Sequence, residues 1–286
     1  MHSSFVPPRR RALSMLLAST VATALFVGGL VPPAAPAQAQ GAGVNLEWFG
    51  WSAFRLTSTE GKVILLNPFV KNPDSTVSLE DLTKVDLILA PDAHGDEIGS
   101  TEDIAKSTGA KVIVPGELAG WFIERGVPQA QFPVRFASSG DRYRLDGVTV
   151  RVVAASHGSG LGEPTAKNPY GGIANGFIVT FENGWTVYFQ GSTGMMSEMA
   201  LWAEMYKPDA VIFHMGASHE PMDIAMGIKL LTTNNPNLKT LIPHHNRVQP
   251  PAGATTIADV QAALSTLGVN IPITETVRSQ VYTFSK

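Results

Sequence analysis

The chain has 286 residues, with 21 lysines and arginines against 24 acids for a formal charge of −3, and it contains no cysteine. The missing cysteines exclude disulfides, thiolate metal sites, a lipoprotein anchor and a cysteine nucleophile. The acidic balance argues against nucleic acid or an anionic membrane as a partner.

Residues 1–39 read as an export signal. Arg9-Arg10-Arg11 precede an uncharged run at 12–31, a Pro/Ala-rich stretch follows, and Ala37-Gln38-Ala39 fits an A-x-A cleavage rule. The arginine cluster ahead of a mildly apolar core resembles a twin-arginine signal. Cleavage after Ala39 removes three arginines and no acids, so the charge moves from −3 to −6. Residues 40–286 remain, enough for one large domain that stabilises itself by its core. An uncleaved anchor is the alternative, because the run approaches the roughly 20 residues that span a bilayer. The expected location is periplasmic or secreted, with a small-molecule substrate or ligand and no membrane contact after cleavage. The sequence carries no signal of oligomeric state.

Strand-like runs follow at 45–49, 53–57, 62–66, 85–90, 111–114, 148–154, 176–181, 185–190, 210–214 and 240–243. Helical apolar spacing occupies 197–206, 221–231 and 256–267, and Ser100-x-x-Asp103 has the form of a capping box. Asp146-Gly147 and Asn183-Gly184 mark hairpin turns. Strand pairs with helices outside them predict a layered α/β domain. One internal echo stands out: residues 54–67 align without a gap on 177–190, placing Phe54, Thr57, Gly61 and Leu66 on Phe177, Thr180, Gly184 and Phe189. Shared turn chemistry explains such a match between any two hairpins. A duplicated half-domain explains it too, and predicts two similar sheets packed face to face with loops meeting at one edge.

The chemistry-bearing residues sit in loops after these strands. The run at 85–90 leads into Pro91-Asp92-Ala93-His94-Gly95-Asp96-Glu97, His157 follows the strand at 148–154, and His244-His245 with Arg247 follow the strand at 240–243. Three carboxylates crowded into one cleft call for a positive partner, whether a metal, Arg247 or protonated histidines. A solvated acidic loop is the plainer alternative. His219, in the loop before Pro221, has the position of a proton donor or substrate contact, and equally of a surface residue. The Gly- and Pro-rich segment 158–172, containing Tyr170, suits a cleft rim or lid. The methionines at 195, 196, 199 and 205 read as core filling.

The pattern resembles the metallo-β-lactamase superfamily, whose loop reads T-H-x-H-x-D-H where this chain has Asp92 to Glu97, with His94 and Asp96 retained. It is similar to the branch of metal-dependent hydrolases that resemble L-ascorbate phosphate lactonase. Trp51 replaces the histidine of W-L-G-H-S-A-F, Asn67 the acid of I-D-P-F and Ser192 the acid of G-D-T, while His157 and His245 keep their places. The resemblance implies a single-domain, four-layer αββα sandwich. It implies a first metal site on Asp92, His94 and His157, a second on Asp96, Glu97 and His245, and a bridging position on Ser192. A hydroxyl cannot bridge two cations as a carboxylate does, so one divalent ion is expected. Two histidines and one carboxylate suit zinc first, with manganese or iron(II) as alternatives. Asn67, Trp51, His219, His244 and Arg247 are expected around the ligands or the substrate. Asn67 in particular is expected to donate to Asp92, and Trp51 to form an apolar wall. The expected function is hydrolysis of a lactone or other ester by a metal-activated water, with Asp96 orienting it. A non-catalytic ligand-binding protein on the same fold is the alternative, and an iron(II) oxygen-using enzyme a third.

Overall fold

Alternating apolar side chains fold the first strands of the described chain into a meander. The computed structural model describes residues 43–162, 165 and 167–286, so the expected export signal lies outside the described residues. β1 (Val44–Gly50), β2 (Ala53–Thr57) and β3 (Val63–Leu66) pair antiparallel, and β4 (Leu87–Leu89) and β5 (Lys111–Ile113) then add parallel to β3. β3 and β4 are continuous apolar runs because both faces of a parallel strand are covered. The connections hold α1 (Gly95–Ile98) and α2 (Thr101–Thr108), and α3 (Gly116–Glu124) follows β5.

The second half repeats this plan. β6 (Arg142–Leu145), β7 (Val148–Ala154), β8 (Asn175–Thr180) and β9 (Thr186–Phe189) form an antiparallel series, to which β10 (Ala210–His214) and β11 (Thr240–His244) add parallel. α4 (Glu198–Tyr206), α5 (Pro221–Leu231) and α6 (Ile257–Thr266) cover its outer face, and β12 (Val281–Phe284) crosses back to pair with β1. The sheet orders are β12-β1-β2-β3-β4-β5 and β11-β10-β9-β8-β7-β6. The echoed hairpins β2-β3 and β8-β9 therefore hold equivalent places, with Phe54 opposite Leu66 and Phe177 opposite Phe189.

The two sheets face each other over a core that includes Leu46, Phe54, Leu66, Phe177, Val187 and Ile212. A second apolar layer joins the first sheet to α2 and α3 through Leu65, Ile88, Ile104 and Phe122. The third joins the second sheet to α4, α5 and α6 through Tyr188, Trp202, Ile228 and Leu264. This is the single-domain αββα sandwich expected. Among the described residues no helix is long and apolar enough to cross a membrane.

Two local expectations are corrected. Ser100 is the N-cap of α2 but makes no side-chain cap, and its hydroxyl is buried without a partner. The capping box forms instead at α6, between Thr256 and Asp259. The edge strand β6 and the helix α3 lie outside the runs read from the sequence. β6 alternates exposed and half-buried residues, which leaves no continuous apolar signal.

Candidate metal centre

The candidate residues collect at one edge of the sandwich, where the parallel strands of both sheets end. β4 delivers the Asp92–Glu97 loop, and β10 and β11 end on His214 and His244, which lie opposite each other in register. The two halves are joined here by Asn175 N–H donating to Pro91 O at 2.8 Å. Gly191 fits because it lacks a side chain: its φ is +63°, and a Cβ would fall 2.6 Å from both Asn175 O and Pro91 Cβ. Three site residues, Trp51, Asn67 and His245, also occupy the left-handed region, at φ 52°, 45° and 59°. Such conformations persist where the surroundings impose them, and they concentrate at functional sites.

Asp92, His94 and His157 bring one ligand atom each to within 4.8 Å of one another, the only such trio among the described residues. Asp92 is fully buried, and its Oδ1 accepts from the His94 backbone N–H at 2.9 Å and lies 3.1 Å from His94 Nδ1. Its Oδ2 is buried with no hydrogen-bond partner. A buried carboxylate with one oxygen unpartnered, beside two imidazoles of which one is exposed, is a donor set that suits a cation. The hydrogen bond that Asp92 accepts raises the His94 pKa, while burial lowers that of His157. Two imidazoles and one carboxylate fit a divalent metal.

The second expected set also comes together, but its members already satisfy one another. Asp96 Oδ2 accepts from Trp51 Nε1 at 3.2 Å and lies 3.2 Å from His245 Nε2. Partial burial alone would raise the Asp96 carboxyl; the hydrogen bond and charge of His245, with the indole of Trp51, outweigh it and bring the pKa to about 2. Glu97 lies 3.5 Å from His245 through Oε1, and the Ser192 hydroxyl donates to the same oxygen. Burial first, then the charges of Asp92 and Asp96, push the Glu97 carboxyl well above its usual range. Ser192, where the resemblance placed the bridge, is a hydrogen-bond donor to a buried acid.

Trp51 is more than the expected apolar wall, since its N–H reaches Asp96. Its carbonyl accepts from Trp48 Nε1 and from the His245 backbone, both at 3.1 Å. Arg247 stacks its guanidinium 4.5 Å from the Trp51 ring centre. It forms no ion pair with the three acids among the described residues, so it does not serve as their counter-charge. The expected bond from Asn67 to Asp92 is not formed. Asn67 turns at φ 45°, its amide atoms are buried without hydrogen bonds, and it lies where it eases the charge of Glu97 instead. His244 is fully buried, facing Gly191 O through Nε2 at 3.2 Å and His245 Nδ1 through Nδ1 at 2.8 Å. It orients His245 and does not itself reach the acids.

His214 is the residue that sequence reasoning missed. Its ring lies 5.8 Å from that of His157, 4.8 Å from His245 and 4.5 Å from His219. Thr193 N–H donates to its Nδ1 at 3.1 Å, and the Thr193 carbonyl oxygen lies 3.3 Å from the same nitrogen. Burial keeps it neutral by lowering its pKa well below the usual value. The signal was present: a histidine closing an apolar strand run, as His244 does. Of the segment expected as a rim, Gly158 lies against the His94 ring and Gly171 against Ala93, while Tyr170 is largely exposed.

A family model described as "Beta-lactamase superfamily domain" matches residues 62–267. A UPF0173 metal-dependent hydrolase of Polynucleobacter asymbioticus is 32% identical over 278 residues, covering 92% of this chain and 94% of that protein. One from Thermodesulfovibrio yellowstonii is 34% identical over 222 residues, covering 74% and 81%. Among solved structures, a metallo hydrolase of the archaeon Ignicoccus hospitalis superposes with a TM-score of 0.68 at 25% identity, covering 85% of this chain and 99% of that one.

Proposed function

The chain belongs to the β-lactamase superfamily and, within it, to the UPF0173 metal-dependent hydrolases, and from that premise we propose that it hydrolyses a lactone or other ester at one divalent ion held by Asp92, His94 and His157. The observation that carries this reading is the convergence of those three ligand atoms within 4.8 Å, with Asp92 Oδ2 left unpartnered. Zinc is the proposed ion, since two imidazoles and one carboxylate with an open position is a catalytic zinc arrangement. When bound, such an ion supplies Lewis-acid polarisation of a carbonyl and a water acidic enough to attack at neutral pH.

The surrounding residues prepare that chemistry. Asp92, buried and bonded to the His94 backbone, fixes the loop that presents His94. Asp96 stays ionised, because Trp51 and His245 converge on its Oδ2. A carboxylate with a pKa of about 2 is a weak base at neutral pH, so Asp96 orients a water through Oδ1 rather than stripping it. The Ser192 hydroxyl donates to Glu97, whose carboxyl burial pushes well above its ordinary range, so this position disfavours a second charge.

Activity of the native protein against neutral lactones and esters, before and after chelation and after zinc is restored, tests the reading. Turnover that disappears with the metal and returns with it supports hydrolysis. Binding without turnover in the metal-loaded protein would favour the non-catalytic reading, which the internally satisfied Trp51–Asp96–His245 unit also suits. Export is proposed on residues 1–39 alone. N-terminal sequencing of protein recovered outside the cytoplasm, beginning at Gln40, would support it, and an intact Met1 would overturn it.

A further inference from the structure

A second feature adjoins the metal cluster and is not needed to form it. Between His214 and the helices α4 and α5 lies a cavity of about 240 Å³, the volume of about eight liquid waters. It is stitched to the His157 loop, because Thr193 Oγ1 accepts from Ser156 N–H at 2.9 Å and Gly194 N–H donates to Ser156 O at 3.1 Å. His214 stands between the two, with its ring 5.8 Å from His157 on one side and its face lining the cavity on the other.

The lining has three chemical parts. Met195, Met199 and Ile224 supply flexible apolar wall. His214 and His219 supply ring N–H groups at the end nearest the cluster, and among the described residues no hydrogen bond is made by His214 Nε2 or by either ring nitrogen of His219. Glu220 and Asp223 stand at the exposed side, and among the described residues no lysine or arginine lines the cavity. Such a lining repels an anion, accepts hydrocarbon and offers donors to a neutral oxygen.

We propose that this cavity seats the apolar arm of an uncharged substrate, with His214 and His219 donating to its oxygens. The proposal rests on the hydrolytic reading for its reaction, but not for its binding. It assigns the substrate to neutral, partly apolar lactones or esters and excludes phosphate- or carboxylate-bearing ones.

Gly227 provides the test. It lies in α5 against the cavity, and a Cβ there would sit 3.5 Å from Met199 Sδ and 3.9 Å from Met195 Cα, which are ordinary contacts. Gly227→Leu therefore fills the cavity while improving helix propensity, and Gly227→Ala is the control for folding. The full chain, zinc-loaded, is assayed on γ-butyrolactone, γ-hexalactone and γ-octalactone. Native protein should favour the eight-carbon over the four-carbon lactone by about tenfold or more in kcat/KM. Gly227→Leu should collapse that ratio with melting and metal content retained. An unchanged ratio would overturn the proposal. If no lactone is turned over, melting shifts with γ-octalactone and with octanoate decide it separately. Stabilisation of native protein by the lactone, lost in Gly227→Leu and absent with octanoate, upholds the cavity although the hydrolytic reading fails. Stabilisation by octanoate, or equal stabilisation of both proteins, overturns the cavity assignment.

Discussion

The indole Nε1 of Trp51 and the imidazole Nε2 of His245 both lie 3.2 Å from the same oxygen, Oδ2 of Asp96. Two protein groups thus meet the carboxylate that a second cation would otherwise meet. His245 does most to hold the Asp96 carboxyl below its ordinary value against burial, and the Trp51 indole adds the smallest share.

An acid-limb prediction follows from Asp96. Its folded pKa of about 2 lies below the usual carboxylate value, so its stabilising contribution is present above about pH 4 and is lost as pH falls towards 2. Trp51→Phe removes one donor and should move the acid unfolding midpoint upward. Thermal melts between pH 2 and 6 check this, and an unchanged midpoint would show that the indole contributes nothing to the carboxylate.

Glu97 has the opposite sign. Burial raises its pKa, so its contribution is full below its ordinary pKa and declines as pH rises from about 4.5 towards the raised value. Glu97→Gln cannot ionise and keeps an acceptor for Ser192. In metal-free protein its melting advantage over the native chain should widen from pH 4 to pH 8. A difference that does not vary with pH would contradict the raised value.

Restoring a second ion requires more than the ligands alone. Asp92→His, Glu97→His and Ser192→Asp together should still hold about one zinc, because the Trp51 indole remains on Asp96. Adding Trp51→His should bring occupancy towards two, as measured by elemental analysis. Two zincs in the triple variant would show that Trp51 does not occupy the place of a cation.

Gly191→Ala tests the joint between the two halves. With φ at +63° and a would-be Cβ 2.6 Å from Asn175 O, the change should cost about 1 kcal/mol or more, lowering Tm by about 2–4 °C. Unaltered melting would mean the loop can move aside.

Much of this was legible in the sequence. Strands β7 and β10 carry their apolar runs within the expected bounds, and the hairpin echo of 54–67 on 177–190 corresponds to equivalent strands in the two sheets. Asp92, His94 and His157 converge as the family resemblance implied. What escaped were properties of three-dimensional neighbours. His214 sits in no motif, and its importance arises from its register with His244 across β10 and β11. Asn67 and Asp92 are chemically complementary, yet the left-handed turn at Asn67 sets its amide elsewhere. Trp51 suggested hydrophobicity, whereas its one polar atom determines its role.

The central claim is one ion on Asp92, His94 and His157. Elemental analysis of protein purified without chelator or nickel affinity, beside His94→Ala and His157→Ala, tests it most directly. About one equivalent of zinc, manganese or iron in the native chain, lost in both variants together with thermal stability, is the predicted result. No metal after incubation with each ion, or an equivalent that survives both substitutions, would contradict it.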